Sequence, residues 1–237
     1  MTKTLVDGDI ITYRCGFSCE DKSLKEAYDN VDELMDYILT ECSFYNQTGD
    51  YEVYLTGKGV PNYRDRIAKS AVYKGNRNQP KPKHLTDLRD YLVEKYDAKV
   101  SMGEEADDLI GIEATKIGPF CVIASVDKDM LQIPAYHFNF NRNEWTVVDA
   151  VSGIRFFYKQ ILTGDAADNI KGLYRVGPKK ADKILGDAAT EDDLWECVVK
   201  AYDGDIERIL ENARLLWLRR YEGEIWEPPH QRKLKAG

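Results

Sequence analysis

The stretch GEEADDLIGIEATKIGPFCVIASVDKD, residues 103–129, contains two acidic clusters separated by a helix-like and a strand-like pattern. Glu105 and Asp108 are three residues apart, so they share one face near the start of the predicted helix. The apolar run CVIA then predicts a buried strand that leads into a tight turn carrying Asp127 and Asp129. A helix followed by a buried strand favours an α/β fold.

Further acids lie near the N-terminus and in the second half of the chain. Asp7 follows the apolar run TLV, and Asp165 and Asp168 lie in LTGDAADN. Crowded carboxylates repel one another unless a cation lies among them. Oxygen ligands without His or Cys favour magnesium or manganese, and two such ions about 4 Å apart suit attack on phosphodiesters. The alternative for any single cluster is helix capping or solvated surface charge.

Composition and charge narrow the class of protein. The 237-residue chain is 43% hydrophobic and has a net charge of -8, which at first argues against a nucleic-acid partner. However, ten of its acids lie in or beside the proposed site, so the remaining charge is slightly positive. With no leader-like or membrane-spanning apolar run and no zinc-like pairing among the five cysteines, we expect a soluble protein of the cytoplasm.

Two segments are basic enough to suit a nucleic-acid backbone. Residues 63–89 carry a net charge of +6 with tyrosines between the basic side chains, although a solvated loop would show the same excess. The second segment is the turn from Gly172 to Gly177, which is followed by Pro178, Lys179 and Lys180. Such a turn aims backbone N–H groups at a phosphate.

Strand-like and helical patterns alternate along the chain, which predicts a mostly parallel central sheet flanked by helices. A late hairpin is expected around residues 141–143, a helical pattern from residue 164 onward, and a loosely ordered tail from Trp226. We divide the chain into an α/β core that contains the basic segment, residues 1–160, and a helical region, residues 161–237.

The motifs VDGDIITYR, YKGNR, EEADD, SVDKD and LTGDAADNIKGLYRVGPKKA, in this order, resemble the flap endonuclease and 5′→3′ exonuclease family. The resemblance implies a PIN-like 5′ nuclease core with a helix-turn-helix DNA-binding element. It implies metal ligands at Asp7, Glu105, Asp107, Asp108, Asp127, Asp129, Asp165 and Asp168. It also implies that Lys74 and Arg77, in a mobile arch of residues 63–89, contact the scissile phosphate, and that Tyr13 stacks on a terminal base.

The same resemblance implies cofactors, partners and an activity. The expected activity is metal-dependent 5′→3′ exonuclease or flap endonuclease cleavage of DNA in replication or repair. The expected cofactors are two Mg²⁺ ions, replaceable by Mn²⁺, and K⁺ at the turn of residues 172–177. The expected partners are DNA with 5′ ends, flaps or nicks and replication proteins, and we expect a monomer in a bacterium or a phage-infected cell. The predicted DNA-binding residues are Arg64, Lys81, Lys83, Gly172, Gly177, Lys179 and Lys180.

The chain departs from this family's pattern at the end of its second strand. Members usually carry an aspartate there, where this chain has Leu55, Thr56 and Gly57. Three outcomes are open: Asp9 or Glu104 replaces the missing ligand, a water molecule fills its position, or the metal binds more weakly. The missing aspartate keeps a second function open, a catalytically weak protein of the same fold that binds DNA junctions. A third is a nuclease that acts on RNA, because nucleases of similar sheet architecture can cut RNA.

Overall fold

A computed structural model of the chain describes residues 2–236. Its main sheet has six strands, and a separate hairpin has two. The strands are β1 Thr4–Asp7, β2 Tyr51–Leu55, β3 Lys99–Val100, β4 Val122–Ala124, β5 Ala135–Asn139, β6 Glu144–Val148, β7 Gly164–Asp165 and β8 Ile170–Lys171. The helices are α1 Gly8–Ser18, α2 Leu24–Cys42, α3 Tyr63–Ile67, α4 Leu85–Tyr96, α5 Ala106–Ile117, α6 Ala150–Thr163, α7 Pro178–Leu185, α8 Glu191–Ala201, α9 Ile206–Leu216 and α10 Pro229–Ala236.

The main sheet has the order β3-β2-β1-β4-β5-β6, and only β6 runs antiparallel to its neighbour. Leu5 and Val6 are both fully buried but belong to different cores, because successive strand residues face opposite sides of a sheet. Helices α1, α2 and α4 cover one side, and α5 covers the other. The predicted mostly parallel sheet flanked by helices is therefore confirmed.

The strand order reverses between β1 and β4, which lie side by side although β2 and β3 come between them in sequence. In sheets of this type the crevice outside the carboxyl ends of such a strand pair is the usual binding site. Asp7 is the last residue of β1, and Asp127 follows β4 by three residues. The fold thus brings two acids that are 120 residues apart in sequence to one edge of the sheet.

A second core lies among helices α6 to α9. Phe157 in α6 contacts Trp217 and Trp226, with ring centroids 4.8 and 5.4 Å apart. Trp226 is only 2% exposed, and α10 follows it, so the prediction of a loosely ordered tail from Trp226 was wrong. The local sequence, rich in proline and charge, does not reveal that its tryptophan fills a distant core.

Local signals explain several element boundaries. Ser23 and Glu26 form a capping box at the start of α2, which continues unbroken to Cys42. The late hairpin is confirmed as β5 and β6. The helical pattern expected from residue 164 is interrupted at its start by the β7–β8 hairpin, and the domain boundary predicted at residue 160 falls inside α6.

None of the helices within residues 2–236 is long and apolar enough to cross a membrane.

Candidate active site

One cavity of about 880 Å³ opens at the edge of the sheet where β1 and β4 end. Six of the eight predicted metal ligands line it, together with the predicted catalytic residues and Lys81. These six ligands are Asp7, Glu105, Asp107, Asp127, Asp129 and Asp168, and Asp9 is a seventh acid in the lining. Asp165 and Asp108 are both buried and are not among the lining residues. Asp165 accepts from Lys128, which lies between Asp127 and Asp129 in sequence.

Asp7 is held by helix α1 and by the residue that follows strand β4. Its carboxylate caps α1 by accepting a hydrogen bond from the backbone N–H of Ile10 at 3.2 Å, and it accepts another from the hydroxyl of Ser125 at 2.7 Å. Ser125 also accepts from the backbone N–H of Asp127 at 3.1 Å. Burial and the neighbouring charge of Asp9 raise the pKa of Asp7 to about 7. Ser125 therefore links two acids that repel each other.

Three other acids share this unfavourable environment. Burial and the charges of Asp7 and Asp127 raise the pKa of Asp107 well above its ordinary value. Burial raises the pKa of Asp127, and burial together with the charge of Asp127 raises that of Asp129 to about 7. Asp129 is positioned by the side-chain amide of Gln160, which donates to it at 2.7 Å.

The remaining predicted ligands are paired with cations. Glu105 contacts Lys74, and Arg64 lies 3.5 Å from it. Although burial raises the pKa of Glu105, these two cations hold it below its ordinary value. Asp168 accepts from Arg77 at 2.6 Å, and Asp165 accepts from Lys128 at 2.6 Å.

Tyr73 connects two members of this paired group. Its hydroxyl lies 2.8 Å from a Glu105 oxygen and 2.9 Å from an Asp168 oxygen. Burial and the charge of Glu105 raise the pKa of Tyr73 well above its ordinary value, so the hydroxyl remains a donor. Sequence reasoning considered Tyr73 only as one of the tyrosines in the basic segment of residues 63–89, and it assigned no role to Ser125 or Gln160. Of these, Tyr73 and Ser125 lie inside motifs already quoted, but Gln160 lies in a helix with no local signal.

Arg64 and Asp108 form a buried ion pair beneath the cavity, whose lining includes Arg64 but not Asp108. Two guanidinium nitrogens of Arg64 donate to the two Asp108 oxygens at 2.6 and 2.9 Å, and the same side chain donates to the backbone carbonyls of Leu215 and Trp217. Arg64 is 1% exposed, so its predicted contact with DNA is corrected to a structural role. Asp108 also accepts from the backbone of Arg219 at 3.2 Å.

The end of β2 carries no carboxylate, and neither proposed substitute is free. Asp9 contacts Arg89 and accepts from the backbone N–H of Thr56 at 3.0 Å. Glu104 accepts from Arg219 at 2.6 Å. The Thr56 hydroxyl instead accepts from the backbone N–H of Ala106 at 2.9 Å, which fixes the start of α5 against β2.

The other predicted binding residues are exposed to different degrees. Tyr13 is 38% exposed and lines the cavity on α1, with the ring of Phe17 6.2 Å away. Lys81 and Lys83 are exposed in the segment between Arg77 and α4. Lys179 and Lys180 are exposed in the first turn of α7, after the turn bounded by Gly172 and Gly177.

The oxygen-only donor set suits a hard divalent cation, which would relieve the repulsion that raises four pKa values. Those four acids are Asp7, Asp107, Asp127 and Asp129. As they stand, no three Asp, Glu, His or Cys side chains within residues 2–236 converge closely enough to hold an ion. The donors therefore fit the chemistry of such an ion, and its binding requires the side chains to turn toward it.

Comparison with known proteins gives matches in both sequence and fold, although no protein-family model matches the chain. Flap endonuclease Xni of Shewanella piezotolerans is 33% identical over 129 residues, which is 48% of this chain and 50% of that protein. A 5′-3′ exonuclease of Buchnera aphidicola is 27% identical over 202 residues, 76% of this chain and 68% of that protein. The chain spans about half the length of the Shewanella relatives it matches.

Solved structures show the fold. The bacteriophage T5 5′-exonuclease with bound zinc ions has a TM-score of 0.66 at 19% identity, covering 91% of this chain and 89% of that chain. The catalytic core of Rad2 in complex with a DNA substrate has a TM-score of 0.53 at 12% identity, covering 99% of this chain and 86% of that chain. The chain is therefore similar in sequence to flap endonucleases and a 5′-3′ exonuclease, and it has the fold of the T5 5′-exonuclease.

Proposed function

We propose that this chain is a metal-dependent nuclease that hydrolyses DNA phosphodiesters near 5′ ends, as a 5′→3′ exonuclease or a flap endonuclease. One observation carries the proposal: an oxygen-only set of mutually repelling carboxylates lines the same cavity as Lys74 and Arg77. Carboxylates that hold a metal beside cations that hold a phosphate are the parts that phosphodiester hydrolysis needs. The proteins similar in sequence are named as a flap endonuclease and a 5′-3′ exonuclease, which supports this choice of substrate.

The residues that would hold divalent ions are Asp7, Asp107, Asp127 and Asp129. Glu105, Asp165 and Asp168 would join them once their cationic partners turn away, and two Mg²⁺ ions, or Mn²⁺ in their place, are the expected occupants. When bound, such ions activate water and stabilise charge on the phosphate. Asp108 is left out of this set because its two oxygens accept from Arg64.

Lys74 and Arg77 would bind the phosphate group. In the free protein Lys74 contacts Glu105, and Arg77 donates to Asp168. A phosphate offers both side chains an alternative anion, and the planar fork of Arg77 can bind two of its oxygens at once. Transfer of these cations to DNA would also free Glu105 and Asp168 for the metal.

The remaining contacts would position the DNA. The exposed ring of Tyr13 at the cavity wall is available to stack on a terminal base. Lys81, Lys83, Lys179 and Lys180 would contact the DNA backbone, and the turn between Gly172 and Gly177 directly precedes the last two in sequence. A potassium ion at that turn stays a prediction. The five free cysteines suit a reducing compartment, and we propose the cytoplasm.

A cleavage assay tests the proposal. A flapped duplex and a nicked duplex, labelled at the 5′ or the 3′ end, are incubated with Mg²⁺ or with EDTA, for the wild type and Asp127→Ala. We expect Mg²⁺-dependent release of short 5′ products that Asp127→Ala does not release. Products released from the 3′ end, or release that persists in EDTA, would contradict the proposal.

A second candidate function rests on the end of β2, where Thr56 replaces the usual carboxylate and both nearby acids are paired. In this case the protein binds DNA junctions without cleaving them. Binding of the flapped duplex with no product in Mg²⁺ or Mn²⁺ would favour it. The same assay with an RNA strand in place of DNA distinguishes an RNA-directed nuclease.

A further inference from the structure

Gln160 connects an acid of the cavity to the interior of the protein. It lies in α6 and is 4% exposed, and its side-chain amide donates to Oδ1 of Asp129 at 2.7 Å. Asp129 lines the cavity, so this bond draws one carboxylate oxygen toward α6 and leaves Oδ2 for a ligand in the cavity. A donated hydrogen bond of this kind fixes the orientation of a carboxylate that binds a metal ion.

A second buried glutamine continues this connection. Gln132 is 1% exposed, and its side-chain amide donates to the side-chain carbonyl of Gln160 at 2.8 Å. The same amide nitrogen donates to the backbone carbonyl of Leu216 at 2.7 Å, and the side-chain carbonyl of Gln132 accepts from the backbone N–H of Leu218 at 3.3 Å. Two glutamines thus join Asp129 to the chain at the end of α9.

The backbone groups at the end of α9 set the direction of these hydrogen bonds. A backbone carbonyl can only accept and a backbone N–H can only donate, so Leu216 and Leu218 fix the orientation of the Gln132 amide. Gln132 must then present an N–H to Gln160, and Gln160 must present its own N–H to Asp129. The glutamine relay, Gln132 and Gln160, therefore ends in a donor at the carboxylate.

Close packing holds the glutamine relay in place. Gln132 and Asp129 are three residues apart in the short 3₁₀ helix Lys128–Gln132, so their side chains share one side of it. Helix α6 approaches this turn at Gly153, where a Cβ atom would lie only 2.6 Å from the backbone carbonyl oxygen of Gln132. A side chain at residue 153 would therefore push α6 outward and move the Gln160 amide away from Asp129.

A purely structural role would not require both glutamines. Gln132 alone satisfies the two backbone groups at the end of α9, and an apolar side chain in place of Gln160 would avoid the cost of burying an amide. The burial of Gln160 is offset by the bond that it accepts from Gln132 and the bond that it donates to Asp129. The end of the relay at a cavity acid therefore indicates a role in the site.

We propose that Gln160 and Gln132 are positioning residues for Asp129, and that through them metal binding depends on the position of the chain at the end of α9. The inference rests on the proposed function for the presence of a metal ion, and it adds two residues outside the acidic motifs that orient a ligand of that ion. Leu216 and Leu218 themselves line the cavity, so this part of the chain borders the site directly and supports it through the relay.

Binding of Mn²⁺, followed by electron paramagnetic resonance at one pH and salt concentration, tests the inference without cleavage. The variants are Gln160→Met and Gln132→Met, which keep the side-chain length and remove the amide, and the double variant. Asn212→Leu is the matched control, because Asn212 is also a buried amide, 5% exposed, but donates to the carbonyl of Lys171 and not to a cavity acid. Urea unfolding of each variant in EDTA reports its stability.

We expect Gln160→Met to lose roughly tenfold in Mn²⁺ affinity, because Asp129 loses its donor. Gln132→Met should lose less, since Gln160 keeps its bond to Asp129 but is no longer fixed in place. In the Gln160→Met background, Gln132→Met should have no further effect on Mn²⁺ affinity, because the relay is already broken. Asn212→Leu should leave Mn²⁺ affinity unchanged although it lowers stability.

Unchanged Mn²⁺ affinity in Gln160→Met, additive losses in the double variant, or an equal loss in Asn212→Leu would overturn the inference. Where Gln160→Met is unfolded in EDTA, the comparison of Gln132→Met with Asn212→Leu decides in its place. DNA cleavage by a wild type whose Mn²⁺ affinity does not depend on the relay refutes only this inference, and relay-dependent Mn²⁺ binding without cleavage refutes only the proposed function. Absence of saturable Mn²⁺ binding by the wild type would overturn both.

Discussion

At the residue scale, the four repelling acids are costly to the free protein. Asp7, Asp107, Asp127 and Asp129 all have raised pKa values because burial and neighbouring charges disfavour ionisation. Acids with such shifted pKa values are typical of functional sites, where binding of a ligand such as a metal ion offsets the free energy lost to burial and repulsion. The pKa of Asp108 is instead lowered, because Arg64 stabilises the ionised carboxylate although burial acts in the opposite direction.

Asp129→Asn should stabilise the metal-free protein at neutral and higher pH. The folded-state pKa of Asp129 is raised from 3.8 to about 7, so its stabilising contribution is complete below pH 3.8 and is lost as the pH rises to about 7. We expect the variant to exceed the wild type by roughly 1–3 kcal/mol in unfolding free energy at pH 8 in EDTA. The two should converge near pH 4 in urea titrations. A constant difference across this range would contradict the raised pKa.

At the element scale, the segment carrying Lys74 and Arg77 is fixed to the acidic turn of residues 166–169. The side-chain amide of Asn76 donates to the carbonyl of Ala166 at 2.7 Å, and that of Asn169 donates to the carbonyl of Val72 at 2.9 Å. The backbone N–H of Lys74 donates to the carbonyl of Asp168 at 3.0 Å. These bonds place the two cations over the carboxylates.

Asn76→Ala should slow cleavage without unfolding the protein. Loss of the bond to Ala166 lets Arg77 drift from the phosphate, and we expect the single-turnover rate to fall roughly tenfold. Because Asn76 is exposed, the unfolding free energy should change by less than about 0.5 kcal/mol. Asn141→Ala, at an exposed turn away from the cavity, is the control. An unchanged rate for Asn76→Ala would show that the bond does not position the cations.

Sequence reasoning predicted elements whose cause is local and missed those whose cause is distant. The strand that ends at Asp7 and the helix after Glu105 follow from short-range patterns. The buried role of Arg64 does not, because its partners Asp108, Leu215 and Trp217 lie far along the chain. In the basic segment of residues 63–89, a buried arginine and a DNA-binding arginine look the same in sequence.

At the scale of the whole molecule, the C-terminal segment joins the two cores. Leu218 packs in the core beneath α5, and Gln132 donates to the carbonyl of Leu216 at 2.7 Å. A few residues later, Trp226 enters the core between α6 and α8. The stability of the helical region therefore depends on residues near the end of the chain.

Trp226→Ala should destabilise the protein by about 3–5 kcal/mol, because the ring is 2% exposed and packs on Phe157, Tyr158 and Trp195. Trp226→Phe should cost less, since it retains much of the buried ring. Urea unfolding followed by far-ultraviolet circular dichroism measures both. A loss below about 1 kcal/mol for Trp226→Ala would mean that the tail contributes little to the second core.

The most direct measurement is the binding of Mn²⁺ to the purified protein by electron paramagnetic resonance. We expect saturable binding by the wild type, strong weakening in Asp127→Asn, and no change in Asp187→Asn, which alters an exposed acid outside the cavity. Affinity should also fall as the pH drops below about 7, because protons compete for Asp7 and Asp129. Absence of saturable binding, or equal binding by Asp127→Asn and the wild type, would contradict the assignment of these carboxylates as a metal site.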